Sequence, residues 1–411
     1  MPLAGFAIPP SGIPGSPVPF TFSVPAPEIT TLTTLVQNAR IAVPSYYNTH
    51  ADPANGTFGV SREWLADAKE TWTTDFSWAT QQAYHNKFPN FRINVTVPSD
   101  GQVFDLHFAA LFSQNASAIP ITLLHGWPGS WFEFAEVLDL LAAKHTPSTL
   151  PYHVIVPSLP DYGLSTRSDE DTSELTMEGA SEALNELMKA LGFDAYVAQG
   201  GDVGSFLAQT MCGLFLECKA FHLNMLFLTA AQSAAVAGIP ITPEEEVQQE
   251  FVNAWGATGS AYAVEHGTRP STISLVLNTN PLGMLAWMGE KFIEWSDNRV
   301  LGLSLEIILT HVSFYWFTNS YGRSMWAYRA LTAIVGGPLP PMPMSLTKPF
   351  GYSAFPVELA TVPEAWAEFL FPNLVFFSKH DQGGHFAAQQ EPEAFLADIE
   401  EFLEIVGADV V

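Results

Sequence analysis

Residues 91–97 and 103–112 are apolar-rich runs on either side of Pro98-Ser99-Asp100-Gly101, a turn signal, and they predict an antiparallel hairpin. After them the pattern changes period repeatedly. Residues 119–124 predict a buried strand, 132–141 a helix and 152–156 another strand. Met177, Ala180, Leu184, Leu187 and Leu191 fall on one helical face, followed by a strand at 195–198, a helix at 206–215 and a strand at 221–226. Repeated strand-helix alternation predicts an α/β fold, a mostly parallel central sheet with helices on both faces.

Upstream of any strand, Ile29, Leu32, Leu35 and Val36 share a helical face, and a second helical pattern over 62–84 carries Trp64, Leu65, Ala68 and Trp72. These predict an N-terminal helical extension packed on the core. Residues 1–26 form a Pro/Gly-rich arm in which little is expected to pair as sheet or helix. From 229 to 343 the alternation stops, and Trp, Tyr, Phe and Met recur on helical spacings with no clear strand. Such an insertion is expected to sit as a lid over the C-terminal edge of the parallel strands, where sites in α/β sheets lie. The proline-rich run 337–343 returns the chain to the core. Strands are then expected at 348–355 and 374–378, and a closing helix buries Phe395, Leu396, Ile399, Phe402, Leu403 and Val406. The expected parts are therefore an arm and helical extension over 1–90, core over 91–228, lid over 229–343 and core again over 344–411.

Composition narrows the partners. Of 411 residues 47% are hydrophobic, enough for a large core, and the formal net charge is −26. That balance argues against nucleic acid or an anionic membrane surface. The N-terminus has no basic start and no uninterrupted apolar run, so neither a secretory signal nor a membrane anchor is expected, and the protein is read as soluble and cytoplasmic. The glycosylation-type triplets at Asn55, Asn94 and Asn115 are then chance matches. Cys212 and Cys218 would close only a tiny loop and are read as buried free thiols.

Residues 199–205, Gln-Gly-Gly-Asp-Val-Gly-Ser, lie between a predicted strand and a predicted helix. Small-x-nucleophile-x-small at such a turn is the nucleophile elbow of α/β-hydrolases, but here Asp202 stands where those enzymes carry serine. A carboxylate needs no base to activate it, and the chemistry it suits is displacement at an sp³ carbon to give an alkyl-enzyme ester. Gly383-Gly384-His385 follows the last predicted strand, where the base belongs in the order nucleophile, acid, histidine. The turn His125-Gly126-Trp127-Pro128-Gly129-Ser130 follows the strand at 119–124, and the N–H groups of Trp127 and Val203 are the expected oxyanion donors. For the acid that orients His385, Glu358 fits the chain order better than Asp381, which sits four residues away on the histidine's own loop.

The elbow Gly-Gly-Asp-Val-Gly-Ser, the His-Gly-Trp-Pro-Gly-Ser turn, the run Lys-Pro-Phe-Gly-Tyr-Ser-Ala-Phe-Pro-Val-Glu from Lys348, and Gly-Gly-His-Phe-Ala-Ala together resemble the microsomal-type epoxide hydrolases, most of all their soluble fungal members. The resemblance spans nearly the whole chain. It implies an α/β-hydrolase fold, Asp202 as nucleophile, His385 as base, Glu358 as acid, and two lid tyrosines that bind the epoxide oxygen and supply its proton. The first carries over to Tyr262, in Ala261-Tyr262-Ala263-Val264-Glu265-His266-Gly267-Thr268-Arg269-Pro270. The second carries over to Tyr328, with Tyr315 and Tyr321 as neighbours competing for that place. It implies an epoxide and water as partners, no metal or organic cofactor, and a homodimer through the lids. Two rivals remain: a haloalkane dehalogenase, which usually has Trp after the nucleophile where this chain has Val203, and a catalytically silent binding protein using the apolar lid.

Overall fold

The structure, a computed structural model, describes residues 3–168, 173–300, 302–331, 343–407 and 410. Among these described residues ten strands form one sheet: β1 Val18–Phe20, β2 Asn90–Thr96, β3 Val103–Leu111, β4 Ile119–Leu124, β5 Tyr152–Pro157, β6 Thr166–Arg167, β7 Tyr196–Gly200, β8 Cys218–Leu223, β9 Phe350–Ala354 and β10 Leu374–Lys379. The order is β1-β2-β3-β5-β4-β7-β8-β9-β10, with β6 paired beside β3. From β5 to β10 every pairing is parallel, and β1, β2 and β3 add an antiparallel edge.

Side-chain alternation along the strands divides the core in two. Ala198 of β7 packs in the cluster with Leu184 and Leu207, while Val197 packs in the other with Leu138, Ile399 and Phe402. The closing helix, Pro392–Val406, buries the six apolar residues expected of it. Helices from Ala230–Val236 to Trp326–Ala330 occupy the chain between β8 and β9, with no strand there among the described residues. Most of the expected proline-rich return, 337–342, lies outside the described residues.

Three expectations fail. The N-terminal arm does pair: β1 runs antiparallel to β2, with Pro19 opposite Phe91. Proline lacks only the donor, which an edge strand does not need on its outer side. The single helical pattern over 62–84 is two helices, Arg62–Thr74 and Trp78–His85, because Ser77 turns out of the helix and its side chain caps the second by accepting from Thr80 N–H. Cys212 and Cys218 are not free thiols but a disulfide. The helix Asp202–Leu214 ends and β8 begins within a few residues, and that reversal brings the two Cα atoms to 4.9 Å, inside the range a bridge requires.

Candidate active site

Parallel pairing of β4 with β7 sets Leu124 opposite Gly200, so the two turns that leave these strands emerge side by side. Their backbones then approach too closely for side chains. A Cβ on Gly204 would lie 2.1 Å from the Leu124 carbonyl oxygen, and one on Gly126 would lie 2.0 Å from Asp202 Oδ1. Asp202 itself has φ +46°, a left-handed conformation that L residues enter at a cost, and the helix starts directly on it. The consequence is a carboxylate held against the neighbouring turn. Trp127 N–H donates to Asp202 Oδ1 at 2.8 Å, and Ser205 Oγ donates to the Asp202 carbonyl at 2.7 Å. His125 braces the turn from within: its Nε2 accepts from Leu159 N–H at 3.2 Å, which leaves Nδ1–H for the Gly126 carbonyl at 3.0 Å.

His385 joins the two carboxylates expected of it. Nδ1 lies 2.8 Å from Glu358 Oε1, and Nε2 lies 3.4 Å from Asp202 Oδ2. Glu358 is fully buried, and the same Oε1 accepts from Leu359 N–H at 2.6 Å. Burial alone would lower the pKa of the ring, but Glu358 and then Asp202 overcome it and raise His385 to about 10. Asp381 plays no part in this pair; it is exposed, and its backbone carbonyl accepts from Arg299.

Tyr262 and Tyr328 meet in the lid, their ring centroids 5.6 Å apart at an interplanar angle of 78°. Both border a cavity of about 250 Å³ whose floor is Asp202 and Val203 and whose walls include Phe206, Trp255 and Leu359. Burial, with the Asp202 charge adding to it, pushes both phenols well above their ordinary range and keeps them protonated. The competing tyrosines are engaged elsewhere. Tyr315 donates to the Gly129 carbonyl at 2.9 Å, and Tyr321 pairs with His266 Nε2 at 2.8 Å. Val203 lines the cavity next to Asp202, and among the described residues Trp127 is the amide seen donating to the Asp202 carboxylate.

Two contributions had no sequence signal strong enough to single them out. The first is a lid clamp on the histidine loop: His385 N–H donates to the Trp295 carbonyl at 3.0 Å, and Gly383 N–H donates to Asp297 Oδ2 at 3.1 Å. Both partners follow the end of a lid helix about ninety residues upstream, so only the tertiary fold reveals them. The second is Glu133, whose carboxyl stands beside Asp202 and His385. Its offset of four residues from Gly129 in the turn after β4 was available in the sequence, but nothing there showed that the side chain folds back.

A ten-stranded sheet of this order, with an aspartate at the sharp turn after β7 and a carboxylate-histidine pair from the loops after β9 and β10, defines an α/β-hydrolase-fold enzyme. Comparison with known proteins agrees and goes further. Residues 17–134 match the family described as Epoxide hydrolase N terminus, and residues 119–312 match the alpha/beta hydrolase fold. The solved structure of Aspergillus niger epoxide hydrolase superposes with a TM-score of 0.89 at 39% identity, covering 98% of this chain and 100% of that one. A Dothistroma septosporum protein named "Putative epoxide hydrolase" is 39% identical over 405 residues, 98% of this chain and 93% of its own. Epoxide hydrolase 1 of Oryctolagus cuniculus is 29% identical over 378 residues, 85% of this chain and 81% of its own. The chain belongs to the epoxide hydrolase family. Its substrates are accordingly an epoxide and water, and among the described residues no helix is long and apolar enough to cross a membrane.

Proposed function

We propose that the protein opens an apolar epoxide through a covalent ester on Asp202 and hydrolyses that ester with water activated by His385. The observation that carries this reading is the position of the Asp202 carboxylate: it forms the floor of the tyrosine cavity, and its other oxygen faces His385 Nε2. An Asp202 oxygen attacks one epoxide carbon as the ring C–O bond breaks, and Tyr262 and Tyr328 donate to the departing oxygen and supply its proton. Ring strain and these fixed donors supply the driving force, so no metal or organic cofactor is needed. The imidazolium of the resting enzyme then gives up its proton to restore the tyrosine.

That proton is released at the right moment for a physical reason. Esterification removes the Asp202 charge, one of the two charges holding the ring pKa at about 10, so the pKa of His385 falls and a neutral base appears. His385, oriented by Glu358, takes one proton from water while the hydroxyl attacks Asp202 Cγ. The oxyanion forms where Trp127 N–H already points, with the Val203 amide beside it. The ester bond breaks, the diol leaves with the second water proton, and the imidazolium and carboxylate are restored. This reading keeps the division into extension, core and lid, with the apolar lid residues selecting the substrate. It also keeps a soluble cytoplasmic homodimer joined through the lids.

The test is to trap the ester. His385→Gln, mixed with an apolar epoxide such as styrene oxide, is expected to gain the mass of one epoxide on the Asp202 peptide while diol release slows roughly 10²–10⁴-fold, the usual contribution of a positioned base. A variant that releases diol at the wild-type rate with no adduct would exclude His385 as the base. Halide release from a chloroalkane at a comparable rate would favour the dehalogenase reading instead.

A further inference from the structure

Asp202 separates two cavities of very different size. On one side lies the tyrosine cavity of about 250 Å³; on the other lies a chamber of about 20 Å³. The chamber is bordered by Asp202, Gly201, His385, Glu133 and Asn224, and closed by apolar residues including Phe395. That volume holds one water and excludes any organic substrate. A water held there needs two to four polar partners, and the walls offer them. The Asn224 carboxamide oxygen is taken by Gln199 Nε2 at 2.9 Å, while its amide nitrogen lies beside Gly201.

Glu133 is an unusual wall. It follows Ser130, the cap of the short turn Trp131–Phe134, and its own N–H donates to the Ser130 carbonyl at 2.9 Å. Its side chain folds back over Gly129: a Cβ there would lie 1.4 Å from Glu133 Oε1. The bare glycine therefore makes the room in which this carboxyl stands. Among the described residues no Lys or Arg pairs with it, and burial pushes it up to about 8 although His385 and the Gly126 and Ser130 amides pull it down. An acidic group is expensive to keep in such a place unless it binds something.

We propose that Glu133 is a positioning residue that holds the hydrolytic water in this chamber, between His385 and the Asp202 carboxyl carbon. The proposal rests on the covalent-ester reading above. One water O–H donates to Glu133 and the other to His385 Nε2, which aims an oxygen lone pair at Asp202 Cγ. As the new C–O bond forms, the proton facing His385 passes to Nε2; the ester C–O bond then breaks toward the tyrosine cavity, and the diol leaves with the other water proton. Water and epoxide thus reach opposite sides of one carboxylate and do not compete for space. Because the epoxide cavity does not include Glu133, ring opening is expected to be indifferent to it.

The experiment is single-turnover kinetics with styrene oxide on Glu133→Ala and Glu133→Gln, following both formation and decay of the adduct on the Asp202 peptide. In Glu133→Ala, ester formation is expected to stay within about twofold of wild type while its decay slows roughly 100-fold, the scale of a mispositioned reactant. Glu133→Gln, close in volume and still an acceptor, is expected to restore decay to within about tenfold of wild type, and it carries the test if the alanine variant does not fold. Unchanged decay in both variants, or equal slowing of both steps, overturns the proposal. Absence of any adduct in wild type and in His385→Gln would instead remove the ester reading beneath it, which is a separate result.

Discussion

Asp202→Ala is expected to abolish epoxide turnover, lowering kcat/KM by at least about 10⁴-fold, as removal of a covalent nucleophile does elsewhere. No neighbouring carboxylate stands ready to replace it. Glu358 is fully buried behind the His385 ring, Glu133 borders the small chamber, and neither borders the cavity with the two tyrosines. The Trp127 N–H would also lose its carboxylate partner. Since φ at this position is +46°, alanine keeps the same backbone strain without the hydrogen bond that offsets it, so the variant's fold is checked by circular dichroism before its activity is read. Diol formation from an epoxide panel is the measurement. Retention of more than about 1% of wild-type kcat/KM by a folded variant would contradict Asp202 as the nucleophile.

The second large effect is on stability. The fold is expected to unfold cooperatively in mild acid, with a midpoint at about pH 4.5. Burial lowers His85, His107, His266 and His311 from 6.5 to about 3, and His125, His153 and His222 to about 4. They are buried neutral, in networks such as His107 between Ser158 Oγ at 3.0 Å and Asn90 Oδ1 at 2.9 Å. Their folded pKa values are depressed, so the unfolded chain binds more protons below pH 6.5, and stability complete above that pH is lost as pH falls toward 3–4. Each such group costs about 3 kcal/mol two pH units below 6.5. Several of them outweigh a typical stability of about 5–15 kcal/mol. Glu133 acts the other way, since its raised value favours the folded state as pH falls from about 8 toward 4.5, while His385 is protonated in both states below 6.5 and adds nothing there, so one group stands against seven. Far-ultraviolet circular dichroism from pH 8 to 3 reads the transition. Retention of native signal to pH 3 would show that these rings are not held neutral.

Local pattern revealed most of the sheet because its strands are apolar runs closed by turn residues, and β4, β5, β7 and β10 stand where those runs predict. The elements that escaped depend on distant partners. β1 is a strand only because β2 offers it an edge, and the gap between Thr74 and Trp78 depends on a capping serine inside a continuous helical pattern. The disulfide leaves no signal in loop length, because the reversal from helix to β8 is what sets the 4.9 Å Cα separation. At the site, Asp202, His385 and Glu358 were legible because strand ends fix their order. Trp295, Asp297 and Glu133 were not, since a carbonyl, a lid carboxylate and a folded-back side chain leave no spacing to read. Tyr328 borders the cavity with Tyr262, whereas Tyr315 and Tyr321 are engaged with Gly129 and His266, a difference that no spacing in the sequence carries.

The central claim is the covalent ester, and the origin of one product oxygen tests it most directly. In a single turnover in ¹⁸O-labelled water, with enzyme in excess, the first diol is expected to contain no label, its new oxygen having come from Asp202, and the label is expected in the Asp202 carboxylate. Label in the diol from that first turnover, with an unlabelled Asp202 peptide, would mean that water attacks the epoxide directly.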